Sequence, residues 1–391
     1  MKRRSFLKSS AAALPLLGAS NLLARSLGDT ASKALTTRKL LLIQLQGGND
    51  GLNTLIPYEN GLYFDHRPTL ALDPQTLLPL NAELALHGAL APLMTAYQAN
   101  DLAILPGLGY PDPNRSHFRS TDIWHTASDS QEFSLSGWLA QAFEEQGLGD
   151  FAFGDGLLLS LSEPGPFAGG TARVIAMDSR QNFLDRTQGM TAAWYSGHVE
   201  LDHVVRTQDH LIDAADHLRS LAMDQVDSGV GFPSDPFGQQ LKEAVELLAA
   251  GLDVPVIQLG LGSFDTHDDQ LTTHAALLSS LANGLSATRE ALIQLDLWDH
   301  TVLMTYSEFG RRVAENGNRG TDHGTAAPHF LMGGRVQGGI YGEYPSLTNL
   351  DNGDLKFTQD FRHLYATILQ GHWELDVSLS RRFSPLPLFV S

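Results

Sequence analysis

From Lys39 the chain runs LLLIQLQ, apolar at consecutive rather than alternate positions, and stops at Gly47, Gly48, Asn49, Asp50 and Gly51. A continuous apolar run closed by turn formers predicts a strand buried on both faces. LAILPGLG at 102–109, the run at 254–261, TVLMTY and HFLMGG repeat the pattern. Between them lie helix periods. Residues 84–99 read as a helix, so the chain begins strand, loop, helix, strand, the order of a parallel α/β sheet. Leu271, His274, Leu278, Leu281, Leu285, Thr288, Leu292 and Leu295 alternate at three and four, one buried stripe of a helix packed on the sheet. Further amphipathic helices are expected at 199–223, 236–251 and 360–369, and SHFRSTDIWHTAS reads as a helix opening near Ser116. The stretch from about 145 to 197, rich in Gly, Ser, Phe and Pro, reads as short strands and loops over a site. The expected architecture is a single α/β domain over 37–391, a mostly parallel sheet flanked by helices, with 145–250 as a cap-like insertion.

Chemistry gathers at the ends of the apolar runs. Asp50 follows the first, Asp265 and His267 follow VPVIQLGLGSF, Glu308 follows TVLMTYS, and Asp322 with His323 stands just before HFLMGG. In an open α/β sheet the carboxyl ends of the strands face one crevice, so carboxylates and imidazoles far apart in sequence become neighbours there. Asp265 and His267 are two residues apart in an extended segment and can face one ion. His323 is read as a ligand, with Asp322 either a ligand or a partner orienting an imidazole. Asp50 has an alternative as the closer of an Asx turn, and Glu308 as an ion-pair partner of Arg311 or Arg312. His203, His210 and His217 recur every seven residues on a helix, too far apart to share a metal. His274 reads equally as a ligand or as a core histidine, and His363 as core packing.

Composition narrows the classes. Cysteine is absent, which excludes disulfides, thiolate metal sites and cysteine nucleophiles, so a metal must be held by oxygen and imidazole. The N-terminus, KRRSFLKSSAAALPLLGASNLLA, reads as a twin-arginine signal peptide over residues 1–25, which implies passage through the Tat translocase to the periplasm or beyond. Its removal takes away five basic and no acidic residues and leaves 21 Lys and Arg against 44 Asp and Glu, a net charge near −23. Such a field speaks against nucleic acid as a partner, and no remaining apolar run predicts stable membrane insertion. A G-x-S-x-G elbow, a G-x-x-x-x-G-K-[ST] phosphate loop, H-E-x-x-H and a helix-opening G-x-G-x-x-G are all missing.

The ordered set GGND, SHF, FDTH, SEFGR and GTDHG resembles the alkaline phosphatase and sulfatase superfamily. With the leader, it more closely resembles the domain-of-unknown-function 1501 family of exported, sulfatase-like bacterial proteins. The resemblance implies an alkaline-phosphatase-like fold and one or two divalent ions (Zn, Mn, Ca or Mg). It places Asp50 on one ion with Glu308 beside it, and Asp265, His267 and His323 on the other. It further implies a metal-dependent hydrolase of small-molecule or polymeric phosphate or sulfate esters, with Ser116 as nucleophile or, alternatively, as a helix N-cap. Arg115 or Arg119 would clamp the nonbridging oxygens. Two departures matter: Asp-x-x-x-His is shortened to Asp-x-His, and Phe309 stands where a second-site histidine is expected. Cys/Ser-x-Pro-x-Arg, the run for formylglycine formation, is also missing. An exported binding or assembly protein that keeps the fold without turnover is the alternative.

Overall fold

The computed structural model describes residues 34–147, 151–161 and 163–390, so the expected signal peptide lies outside the described residues. The main sheet is built from β1 (Lys39–Leu45), β2 (Leu102–Gly109), β3 (Gly156–Leu159), β4 (Val174–Met177), β5 (Val256–Leu261), β6 (Thr301–Tyr306), β7 (Ala327–Gly333), β8 (Gly339–Ile340) and β9 (Gln359–Asp360). Their order is β8-β2-β7-β6-β1-β5-β3-β4, with β9 also on β2. Every pairing is parallel except those of β7, which runs antiparallel to both β2 and β6.

β1 shows why its residues make a central strand. Leu41, Ile43 and Leu45 enter one core and Leu40 and Leu42 the other, so both faces are apolar and both are covered. On the first face lie α4 (Pro236–Ala249) and α5 (Gln270–Gln294); on the second lie α1 (His117–Thr126), α2 (Trp138–Gln146) and α6 (Arg362–Thr367). The stripe of α5 is buried at His274, Leu278, Leu281, Leu285, Thr288 and Leu292. The fold is thus the expected mixed α/β architecture, a mostly parallel sheet between helical layers.

Two local expectations change. Residues 84–99 are not one helix but a strand at Ala85–Leu86, a 3-10 segment at Gly88–Leu93 and a short helix at Met94–Gln98. Gly88 and Pro92, a flexible residue and one without an N–H, interrupt the ladder that the apolar spacing suggested. Of the stretch read as a cap-like insertion, β3 and β4 are built into the sheet, while the loop after β3 lines a cavity described below. α3 (Val199–Ser220) forms the long helix that follows. Among the described residues no helix is long and apolar enough to cross a membrane.

Candidate metal centre

The sheet topology gathers the site. β1, β2, β5 and β6 end at one edge, and β7, being antiparallel, begins there. The loops after β1, β5 and β6, the start of α1 and the segment before β7 therefore meet. Two constraints hold them close. Gly47 has φ +113°, and a Cβ there would stand 2.4 Å from the backbone N of Asp265, so only glycine lets the first loop approach the second. Arg311 is 1% exposed. It donates to the carbonyls of Gly47, Gly48 (2.7 Å), Phe264 (3.0 Å) and Thr321 (2.9 Å) and to Asp265 Oδ1 (2.6 Å). One buried guanidinium thus fastens three loops.

In the crevice four side chains converge. His117, Asp265 and His323 present ligand atoms within 4.8 Å of one another. His323 Nε2 lies 3.0 Å from His117 Nε2, 3.0 Å from His267 Nε2 and 3.2 Å from Asp265 Oδ1. His267 Nε2 is 3.0 Å from Asp265 Oδ1, and His117 Nε2 is 3.4 Å from Asp265 Oδ2. Donors at bond lengths of about 2.0–2.1 Å around a tetrahedral ion stand roughly 3.3 Å apart, a spacing that His117, Asp265 and His323 match, while His267 stands outside that group of three and reaches it through Asp265 and His323.

The far sides of the rings decide where the protons are. His323 Nδ1 faces the carbonyl of Arg115 at 2.8 Å, an acceptor only, so that nitrogen carries the proton. His117 Nδ1 faces Glu308 Oε1 at 2.8 Å, and His267 Nδ1 faces Asp322 Oδ1 at 3.2 Å. With each Nδ1–H donated outward, three Nε2 lone pairs and a carboxylate face one another, a donor set able to hold a cation. Burial lowers the pKa of His323. The hydrogen bond to Glu308 raises that of His117. Asp265, pushed up by burial but pulled down further by the hydrogen bond and charge of Arg311, settles at about 2 and is an anion at any working pH. Phe309 packs on both His117 and His323, ring centroids 4.8 Å apart in each case, and so fixes ring orientation.

Of the residues singled out in the sequence, Asp265, His267 and His323 are brought together, and Asp322 orients His267. Glu308 stands one step back: its Oε1 accepts from Gly47 N–H at 2.8 Å and from His117. Asp50 does not join the cluster. Its oxygens take Arg67 at 2.5 and 2.9 Å, and Gln270 donates to it as well, so a buried guanidinium stands where the resemblance implied a second ion. Arg119 does not face the centre either: it pairs with Asp122 and donates to the carbonyls of Asp129, Ser130 and Glu132. Arg115 contributes its carbonyl, while its guanidinium pairs with Asp354. Ser116 is exposed at the N-cap of α1, but its hydroxyl caps nothing and makes no hydrogen bond among the described residues. His274 bonds Asn49 Oδ1 at 2.9 Å in the core, away from the cluster. His363 bonds the carbonyl of Ser384. His117 is the member of the cluster that the sequence pattern does not single out, although it directly follows Ser116 in the SHF motif.

Beside the centre, on the His117 and Glu308 side, opens a cavity of about 730 Å³. Fold and site together define a mixed α/β protein with a histidine and aspartate centre at the carboxyl edge of its sheet. The chain belongs to the family described as "Protein of unknown function (DUF1501)", whose profile matches residues 106–375. No curated protein sequence matches it. Among solved structures it is similar to Ps i-CgsB, at 10% identity over 89% of this chain and 74% of that one, with a TM-score of 0.42. It is also similar to the phosphonate monoester hydrolase of Agrobacterium radiobacter (9% identity, 87% and 74% covered, TM-score 0.38). A third is a protein in the alkaline phosphatase superfamily from Vibrio parahaemolyticus (12% identity, 81% and 70% covered, TM-score 0.36).

Proposed function

We propose that the protein is an exported, metal-dependent hydrolase of phosphate or sulfate esters, of the alkaline phosphatase superfamily, working with one divalent ion. The observation that carries this reading is the convergence of the His117, His267 and His323 Nε2 atoms on Asp265, with all three Nδ1–H groups spent on Glu308, Asp322 and the Arg115 carbonyl. Three imidazoles and a carboxylate favour a zinc-class transition metal over Ca²⁺ or Mg²⁺, which prefer all-oxygen shells. A bound ion would supply Lewis acidity toward the ester oxygens.

The chain itself would supply the rest. Ser116, its hydroxyl unengaged and flanked in sequence by Arg115 and His117, is the candidate nucleophile. The free N–H groups opening the ten-residue α1 suit the nonbridging oxygens of a tetrahedral anion. Arg311 and Phe309 hold the ligands and keep the centre from reorganising. The organic part of the ester would lie in the adjoining cavity.

The test is metal analysis of the mature protein together with turnover of aryl phosphate and aryl sulfate esters. About one zinc-class ion per chain is expected, with activity lost on chelation, and Ser116→Ala should abolish turnover while keeping the ion. One observation favours a second reading, an exported binding or assembly protein: the Arg67 guanidinium on Asp50 excludes a second ion there. Metal retained with no ester cleaved by the unaltered protein would select that reading.

A further inference from the structure

The cavity beside the centre has a lining that points to one kind of occupant. Its floor is made by two sheet strands. Leu42 of β1 pairs with Gln258 of β5, so Gln44, two residues on, projects from the same face as Gln258. Gln46 continues β1 into the same cavity. Two amides on a face otherwise filled by Leu40, Leu42, Val256 and Met304 break the apolar rule for a central strand, and burying amides is costly without partners.

Those partners are largely missing among the described residues. Gln258 is 1% exposed; its Nε2 donates to Tyr306 Oη at 2.9 Å, but its Oε1 is buried with no hydrogen-bond partner. The side-chain amides of Gln44 and Gln46 make no hydrogen bond among the described residues. Tyr306, having accepted from Gln258, has its own proton to give to His125 Nε2, 2.9 Å away, which leaves His125 an Nδ1–H beside the cavity. Burial holds His125 neutral by lowering its pKa to about 4.

Charge narrows the class. Among the described residues neither lysine nor arginine lines the cavity. Of its carboxylates, Asp122 is paired with Arg119, and Glu308 is engaged by His117 and Gly47 N–H. An anionic group finds no counter-charge in that lining, and a cation finds only Glu163. At the mouth Phe118 and Leu135, both 91% exposed, offer an apolar surface.

We infer that this cavity is a binding site for an uncharged, hydroxyl-rich ring, a neutral sugar unit. The amides of Gln44 and Gln46 each match a hydroxyl as both donor and acceptor, Gln258 has its Oε1 left to accept, and Phe118 covers the C–H face of the ring. The inference rests on the ester-hydrolase reading only for the orientation of a substrate, with its anionic group at the centre and its sugar in the cavity. The binding itself needs no ion.

The experiment is titration of mature, chelator-treated protein with maltotriose, cellobiose and xylobiose, followed by ligand-observed NMR, with glucosamine and uridine as competitors. At least one neutral saccharide should bind, and Phe118→Ala, on an exposed side chain, and Gln258→Leu should each weaken it about fivefold. Failure of every neutral saccharide to bind, affinity unmoved by both substitutions, or tighter binding of the amine or nucleoside overturns the assignment. Because the ion is removed, loss of ester hydrolysis cannot imitate these outcomes, and absence of saccharide binding would leave ester hydrolysis untouched.

Discussion

Glu308 meets the centre only through His117, and that makes its charge separable from its geometry. Its Oε1 accepts from both His117 Nδ1–H and Gly47 N–H, so Glu308→Gln can keep an acceptor in place while losing the negative charge that raises the basicity of the ring. Metal affinity, measured by competition with a chromophoric chelator, is expected to fall roughly tenfold to a hundredfold with the fold intact. Unchanged affinity would mean that Glu308 serves only as a spacer. Residues of this kind mark the limit of what sequence makes visible. Asp265, His267 and His323 are legible because each sits within a few residues of an apolar run. His117 is not: it stands beyond a Pro- and Asn-bearing loop from the end of β2, and as the first residue of a helix it resembles any solvated position. Asp50 misleads for the converse reason. The residue that neutralises it, Arg67, lies well down the chain in an unremarkable loop, and nothing local announces a bidentate pair.

At the level of elements, the centre depends on loops pressed together at the sheet edge more than on any helix. Gly47 is the tightest point, with its missing Cβ 2.4 Å from Asp265 N and its φ at +113°. Gly47→Ala should therefore cost more than about 1 kcal/mol and displace Asp265, so both melting temperature and metal content fall. Gly61→Ala is the control: a Cβ there meets nothing within 4 Å, and stability should shift by no more than about 0.5 kcal/mol. If both variants kept a full complement of metal, the close approach would not be what shapes the site. The strands themselves are readable because runs such as Leu40 to Leu45 are apolar on both faces, and a run that short, closed by a glycine turn, suits a buried strand far better than a helix. Residues 84–99 are not, since apolar spacing cannot register how Gly88 and Pro92 break a hydrogen-bond ladder. That β3 and β4 extend the sheet is equally hidden, four residues each being too short to stand out from a Gly- and Pro-rich stretch.

For the whole molecule, the histidines outside the centre set how stability responds to acid. Burial lowers His125 and His274 to about 4, and His329 and His372 to about 3, from the ordinary imidazole value of 6.5. All four are neutral when folded, yet each takes up a proton near 6.5 once unfolded. Between those values the unfolded chain binds more protons than the folded one, so stability rises with pH and is lost as pH falls from about 6.5 toward 4. Each histidine contributes up to about 1.4 kcal/mol per pH unit in that window. The carboxylates act in the same direction but lower down. Asp50, desolvated but held by Arg67, and Asp265 near 2 lose their contributions only below about 4. Onset therefore identifies the cause: urea unfolding at about pH 7.5, 6.5, 5.5 and 4.5 should show stability declining from the first step below about 6.5, ahead of any carboxylate. His329 offers the sharpest check. Both of its ring nitrogens are buried without partners among the described residues, so His329→Leu removes a desolvated polar ring and one of the four titrations together. The slope of stability against pH between about 6.5 and 4.5 should fall by about one proton relative to the unaltered protein. An unchanged slope would mean that the other groups carry the whole acid response.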